Sequence, residues 1–358
     1  HGVTIFSTNM QLYAAMSKRV TSILRKSIHH VENYSIDESF CNLKGYESHF
    51  DLVDLMRGVA DRIKLWTDIP VSVGIAPTKT LAKVANKFAK KYDGYHSVCM
   101  IDSEEKRIKA LSLFDLADVW GIGRQTLSKL NYLGVSTPLE FANKSESWVR
   151  SNFHKPGIQT WLELNGTPCI DTSEVVQNQT ICTSRSFGEM VSDLPSLKAS
   201  VASFASSCAN KLRGQNAGAR SVTVFICSNR FREDLPQYGN SATYTFITPT
   251  SDTLEITSAA LKLLKQIYRP GIQYKKSGVI VGDIISMSML QMNLFDPIHN
   301  RKERSDLMKA IDVINHRYGL KTIKLLAERD KEQKWKVKCE HRSQNYLTNI
   351  NEILTIQI

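Results

Sequence analysis

Two groups of residues in this chain have the types and spacing to do chemistry together. Tyr34-Ser35-Ile36-Asp37-Glu38-Ser39-Phe40 sets an acidic pair inside an apolar, strand-like run. A second apolar run, Val71 to Ala76, turns through Pro77 into a helix-like segment with Lys79, Lys83 and Lys87 at spacing four. Carboxylates hold divalent cations, and lysine at a helix start can hold phosphate. Such a pairing points to metal-assisted chemistry on a nucleotide.

The neighbours of the acidic pair, Tyr34 and Ile36 before it and Phe40 and Leu43 after it, predict a substantially buried strand. Buried carboxylates need a cation, hydrogen bonds or a proton. Neighbours on a regular strand point to opposite faces, so both reach one metal only at a bend or a strand end. A two-metal site places ions roughly 4 Å apart and needs a bridging ligand, so a third acid is expected from elsewhere. Within the lysine row Lys79 is singled out for a triphosphate, because only the first turn combines lysine charge with unpaired backbone N–H groups. The plainer alternative for all three lysines is a solvated helix face.

Two further motifs carry binding rather than chemistry. Gly121-Ile122-Gly123, with Leu127, Leu130 and Leu133-Gly134-Val135 behind it, resembles a helix-hairpin-helix, whose tight GxG turn exposes backbone amides to a DNA phosphate. It is not a dinucleotide fingerprint, since Thr126 stands where the third glycine belongs and no strand immediately precedes it. Gln291-Met292-Asn293-Leu294-Phe295 places an aliphatic–aromatic pair on a linker, which is unfavourable unless a pocket receives it.

The elements that must position these residues follow from periodicity. Residues 3–8 read as a short strand, Asn9 to Arg25 as a helix, Val31 to Leu43 as a strand, and Phe50 to Leu65 as an amphipathic helix. Val71 to Ala76, a helix from Thr78 to Lys91 and a strand at Val98 to Ile101 complete an α/β or α+β catalytic layer. Residues 106–170 are helical with short loops, and 171–180 are a polar linker. Residues 181–285 form a separate unit in the order β-α-β-β-α-β, a split βαβ sandwich with helices on one sheet face and the other face free. Asp252 and Glu255 open its second helix in a capping-box arrangement. A basic tail with one helix, Arg304 to Arg317, follows Pro297.

The bulk properties agree with a polyanion partner. The chain has 358 residues, 46 Lys+Arg against 35 Asp+Glu, and a net charge of +11. Residues 180–285 hold 12 basic and 7 acidic side chains and residues 298–358 hold 13 and 8, so each is +5 and the basic surface is extended. Seven cysteines, odd in number and without a CxxC, read as buried or free thiols in a reducing cytosol. Histidine and cysteine show no zinc-ligand spacing, and no apolar run is long enough for a membrane span.

YSIDESF, SVGIAPTKTLAKVANK, VWGIGRQTLSKL, SRSFGE and QMNLF, in this order, closely resemble the Y-family translesion DNA polymerases, and most of all their UmuC type. The resemblance spans essentially the whole chain. It implies an α+β multidomain protein: a palm at 1–110, a helical thumb at 111–170, the linker at 171–180, a βαββαβ little finger at 181–285, a clamp-binding linker at 286–297 and a C-terminal region at 298–358. Asp37 and Glu38 would be catalytic ligands of Mg²⁺, and Lys79 would contact the triphosphate of the incoming dNTP. Gly121 and Gly123 would meet the DNA backbone, and Ser184 and Arg185 would open the strand that tracks the template. Gln291, Leu294 and Phe295 would dock on the sliding clamp. A UmuD′-like dimer and RecA are implied partners without assigned residues, and the setting implied is the SOS response in the bacterial cytoplasm.

The family also begins with a strand carrying a metal-bridging Asp, then a steric-gate aromatic and a fingers domain. The chain opens at His1 beyond these, so an N-terminal truncation with one metal ligand missing is expected. Glu32 is the only other acid in residues 1–36. Two functions therefore stand side by side: error-prone, Mg²⁺-dependent translesion synthesis, and a non-catalytic fragment that binds damaged DNA and the clamp.

Overall fold

The computed structural model describes residues 2–171, 179–289, 296, 298–329, 334–347, 349–353 and 355. The chain divides into two compact units, His1–Val175 with Arg342–Ile358, and Val176–His341.

In the first unit α1 (Met10–Ser27) is capped by Asn9, whose side chain accepts from the Leu12 N–H. The chain then enters β1 (His30–Asn33) and β2 (Ser39–Asn42). These are the arms of an antiparallel hairpin in which Glu32 faces Phe40 and Asn33 faces Ser39. The single strand expected over 31–43 is thus broken at the acidic residues. The N–H groups of Tyr34 and Ser35 both donate to the Glu38 carbonyl, and the Ser35 hydroxyl accepts from the Asp37 N–H. Short polar side chains that bond their own backbone favour a turn over a continuing ladder. Residues 3–8 form no strand; Ser7 makes only an isolated bridge to Arg342, and Val3, Ile5 and Phe6 are exposed.

Next come α2 (Leu52–Thr67), β3 (Val73–Ile75), α3 (Lys79–Lys91) and β4 (Val98–Met100), with β3 and β4 parallel. Gly74 lets β3 lie directly on α3, since a Cβ there would sit 1.9 Å from the Ala82 carbonyl oxygen. One core joins Ile23, Met56, Val59, Ile63, Ile75 and Val98 beneath α1 and α2. The other runs from α3 into a helical layer of α4 (Glu104–Leu113), α5 (Arg124–Tyr132), α6 (Pro138–Ala142), α7 (Glu146–Asn152) and α8 (Lys155–Leu164). Leu81, Val84, Leu111, Leu130, Phe141 and Leu164 are its centre.

The second unit has the element order expected: β5 (Thr180–Val191), α9 (Leu194–Gly214), β6 (Ala217–Ser228), β7 (Gly239–Thr250), α10 (Thr253–Ile267) and β8 (Tyr274–Ser286). The sheet runs β5-β8-β6-β7 with every neighbour antiparallel. Each βαβ is split, β5 from β6 by β8 and β7 from β8 by β6. Alternation puts Val222, Val224, Ile226, Val279 and Val281 under α9 and α10. Asp252 caps α10 through the Leu254 and Glu255 N–H groups, but the Glu255 carboxylate turns to Arg301 instead of closing a capping box.

That arginine belongs to α11 (Arg301–Tyr318), which is joined to α9 and to the start of α10 by charged side chains. Arg304 pairs with Asp252 at 2.7 Å, Arg213 pairs with Asp312 at 2.6 Å, and Met308 is buried. Burial opposes ionisation of Asp252 and Asp312, but the guanidinium beside each outweighs it and holds the carboxyl below its usual range. Asp296 is held lower still, chiefly by its hydrogen bond from Arg301. Further on, Trp335 packs edge-on against Phe204, and the N–H groups of Gly188 and Glu189 donate to the Lys336 and Lys334 carbonyls. Those bonds cover one end of the β5 edge. Residues 342–353 return to the first unit, where the buried Asn9 amide donates to the Ser343 carbonyl and to Asn345 Oδ1, both at 2.9 Å.

Candidate active site and nucleic-acid surfaces

Asp37 and Glu38 sit at the tip of the β1–β2 hairpin and are exposed. The buried strand expected for them is not what forms; the bend that a shared metal requires is. The lysine row of α3 crosses this tip, and each lysine meets a carboxylate from a different place. Lys79 pairs with Glu32 on β1 at 2.7 Å, Lys83 with Glu38 at 2.8 Å, and Lys87 with Asp118. Asp37 is bonded by the Ser35 hydroxyl and has no ion pair among the described residues.

Aromatic rings fill the space behind the tip. Tyr34, Phe40 and Trp120 lie with centroids 5.4–5.7 Å apart, and the Trp120 indole N–H donates to the Tyr34 hydroxyl at 3.2 Å. The Lys79 ammonium stands 5.3 Å from the Phe40 ring. Each ring pair contributes about 0.5–1.5 kcal/mol beyond burial, and an ammonium over a ring about 0.5–2 kcal/mol. Trp120 immediately precedes the GxG segment, so this cluster ties the acidic tip to the helical layer.

The start of α3 is less open than its sequence suggests. The Thr80 N–H donates to the Glu163 carboxylate at 2.9 Å, and the Leu81 N–H to the Thr78 hydroxyl, which itself donates to the Glu163 carbonyl. Glu163, from α8, is 1% exposed and also accepts from the Cys169 and Ile170 N–H groups. The Glu163 carboxylate already occupies this terminus, so the amides of Thr80 and Leu81 are not open to a phosphate.

At the GxG, Gly121 has φ +98°, and a Cβ there would lie 2.2 Å from Thr160 Oγ1. Gly123 is the N-cap of α5, with no side chain over the first-turn amides, and both glycines are exposed. Unpartnered amides at a helix N-terminus suit a phosphate.

In the second unit Ser184 lies on the sheet face away from the helices, while Arg185 has the opposite parity and is exposed on the edge strand β5. The open face is lined by hydroxyls, with Thr223 and Thr243 bonded across strands at 2.8 Å. Phe225 also lies there, with the Lys276 ammonium 5.7 Å from its ring. Gln291, Leu294 and Phe295 lie outside the described residues.

Carboxylate oxygens are the hard donors that Mg²⁺ takes, so Asp37 and Glu38 fit a divalent cation as two of its ligands. Among the described residues no cluster of three or more His, Cys, Asp or Glu could hold an ion. The described residues thus hold two of the three carboxylates expected. All seven cysteines are unpaired, and burial pushes the Cys41 thiol on β2 up to about 11. No helix among the described residues is long and apolar enough to cross a membrane.

Comparison with known proteins decides the family. Residues 1–87 match the impB/mucB/samB family and residues 178–294 its C-terminal domain. Protein UmuC of Salmonella typhimurium is 39% identical over 361 residues, covering 99% of this chain and 85% of the relative. The chain belongs to the Y-family DNA polymerases. By family it is a DNA-directed DNA polymerase of the translesion type. Protein ImpB, also of Salmonella typhimurium, is 36% identical over 98% of this chain and 83% of its own length. The fold matches a solved Y-family polymerase chimera of Dbh and Dpo4 with a TM-score of 0.57, at 20% identity and 78% coverage of each chain. Residues 305–356 match a family described as a domain of unknown function (DUF4113). In this Y-family chain those residues include most of α11.

Lys83, Glu163 and the Tyr34–Trp120 contact were not singled out by sequence reasoning. Tyr34, Trp120 and Lys83 stand inside the motifs that were. Glu163 had one signal, an acid between Leu162 and Leu164 on an apolar helix face.

Proposed function

We propose that this polymerase performs error-prone, Mg²⁺-dependent translesion synthesis in the SOS response of a bacterial cytoplasm, on primer–template DNA and dNTPs. One observation carries the reading: the acidic hairpin tip is crossed by the lysine row of α3 and tied by Trp120 to the GxG turn. The primer 3′-hydroxyl gives its proton to water as its oxygen forms a bond to the α-phosphorus, the α–β bridge breaks, and pyrophosphate leaves with its electron pair. Mg²⁺, when bound, lowers the pKa of the 3′-hydroxyl and neutralises the charge that develops. Asp37 and Glu38 hold it. Lys79 leaves Glu32 for the triphosphate and steadies the departing pyrophosphate.

In this reading residues 1–110 act as palm, 111–170 as thumb and 181–285 as little finger. Gly121 and Gly123 offer amides to a DNA phosphate, and the hydroxyl face around Ser184, with Arg185 at its edge, follows the template backbone. Gln291, Leu294 and Phe295 dock on the sliding clamp, and a UmuD′-like dimer and RecA are partners. Primer extension past an abasic template position is expected with Mg²⁺, and Asp37→Ala should abolish it. Extension unchanged in that variant sinks the assignment. The presence of two rather than three clustered carboxylates among the described residues favours a second reading, a module that binds damaged DNA and the clamp without turnover. Nucleotide incorporation by the purified chain refutes that one.

A further inference from the structure

The Lys83 ammonium donates to both oxygens of Glu38, at 2.8 and 3.0 Å, and so sits on a residue the polymerase reading assigns to metal. It has a second kind of partner. Its nitrogen lies 5.1 Å from the centre of the Tyr34 ring and 5.3 Å from that of Trp120. The two rings meet edge to face at 84° and are joined by the indole–hydroxyl bond. One formal charge and two ring faces therefore hold one ammonium, and only the formal charge is needed elsewhere.

We propose that Lys83 is the resident counter-ion of the Asp37–Glu38 tip and changes partner during the cycle, from Glu38 to the phosphates of the incoming nucleotide. The inference rests on the polymerase reading above. When Glu38 turns to a cation, the ring faces keep the Lys83 ammonium in place, because cation–π attraction does not depend on the carboxylate. The ammonium has then lost its neutralising partner beside a dication. In a water-like dielectric a unit charge about 5 Å from a dication weakens its binding roughly tenfold. Phosphate oxygens brought by a nucleotide restore the balance. Lys83 is thus a positioning residue that opposes cation binding in the empty protein and favours nucleotide in the loaded one.

Mn²⁺ alone, titrated into the full chain without DNA or nucleotide and read by electron paramagnetic resonance, tests this. Lys83→Met should bind Mn²⁺ about tenfold more tightly than wild type, Lys83→Arg should stay near wild type, and Asp37→Asn should lose binding. At saturating Mn²⁺, Lys83→Met should bind a nucleoside triphosphate several-fold more weakly. These opposite signs separate the proposal from a damaged fold, which weakens both. Unchanged or weaker Mn²⁺ binding in Lys83→Met, with loss in Asp37→Asn, overturns the role of Lys83 and leaves the metal reading intact. Tighter Mn²⁺ with unchanged nucleotide affinity overturns the change of partner. Equal Mn²⁺ binding in all variants, Asp37→Asn included, overturns the metal reading and the proposal with it.

Discussion

Glu163 should be the most costly single charge to remove from the first unit. Its Oε2 accepts from Thr80 at 2.9 Å, and its Oε1 from Cys169 at 2.9 Å and Ile170 at 3.2 Å. In Glu163→Gln one oxygen becomes an NH₂ group. If the remaining oxygen stays with Cys169 and Ile170, the new donor faces the Thr80 N–H; the opposite flip confronts two N–H groups and is worse. The better flip loses a hydrogen bond to a charged group, about 1.5–3 kcal/mol, and buries an unpaired donor, about 1–3 kcal/mol. The two costs share the Thr80 contact, so about 3 kcal/mol is expected in total. In a unit of this size each kcal/mol moves Tm by roughly 2–4 °C, which gives a fall of about 6–12 °C. Calorimetry of the full chain reads the fall, and hydrogen exchange over residues 78–91 and 194–214 assigns it to the first unit. A fall under about 2 °C, with exchange over 78–84 unchanged, would refute the capping role.

Gly121→Ala adds a Cβ 2.2 Å from Thr160 Oγ1 at a φ of +98°. It should cost about 1–3 kcal/mol in urea unfolding and weaken primer–template binding several-fold by anisotropy. A second change, Thr160→Ala, should recover the clash but not the backbone strain; full recovery would count against the φ argument. The three aspartates that hold α11 have carboxyls depressed in the folded state. Their stabilisation is therefore complete above the unfolded value of about 4 and is lost as pH falls through the folded values. The protection factor of residues 301–318, the intrinsic exchange rate at each pH divided by the observed one, should stay flat from about pH 8 to 5 and fall below about pH 4, and a fall already at pH 6 would contradict it.

The helices and most of the strands were legible because their signals are local. The apolar stripe of α3, the cap at Asp252 and the alternation of Val222, Val224 and Ile226 need no distant partner to be read. Two readings missed for a common reason. Residues 3–8 and 31–43 are apolar enough for strands, but a strand exists only where a ladder receives it. At 34–38 local side-chain bonds closed a turn instead. The capping box at Asp252 was likewise half formed, because Glu255 found Arg301, a partner 46 positions away.

By itself the sequence determined which residues could do chemistry: a carboxylate pair, a lysine row, a GxG turn and a sheet with one free face, in the order that marks the family. Residue type and short-range spacing are enough for that. Only the tertiary structure decided how they are matched. Lys83 rather than Lys79 meets Glu38, Trp120 holds Tyr34, and Glu163 fills the helix start expected to be open to phosphate. Those pairings join residues 45, 86 and 83 positions apart, and no periodicity extends so far. Charge complementarity says that a lysine will find an acid; packing selects which one.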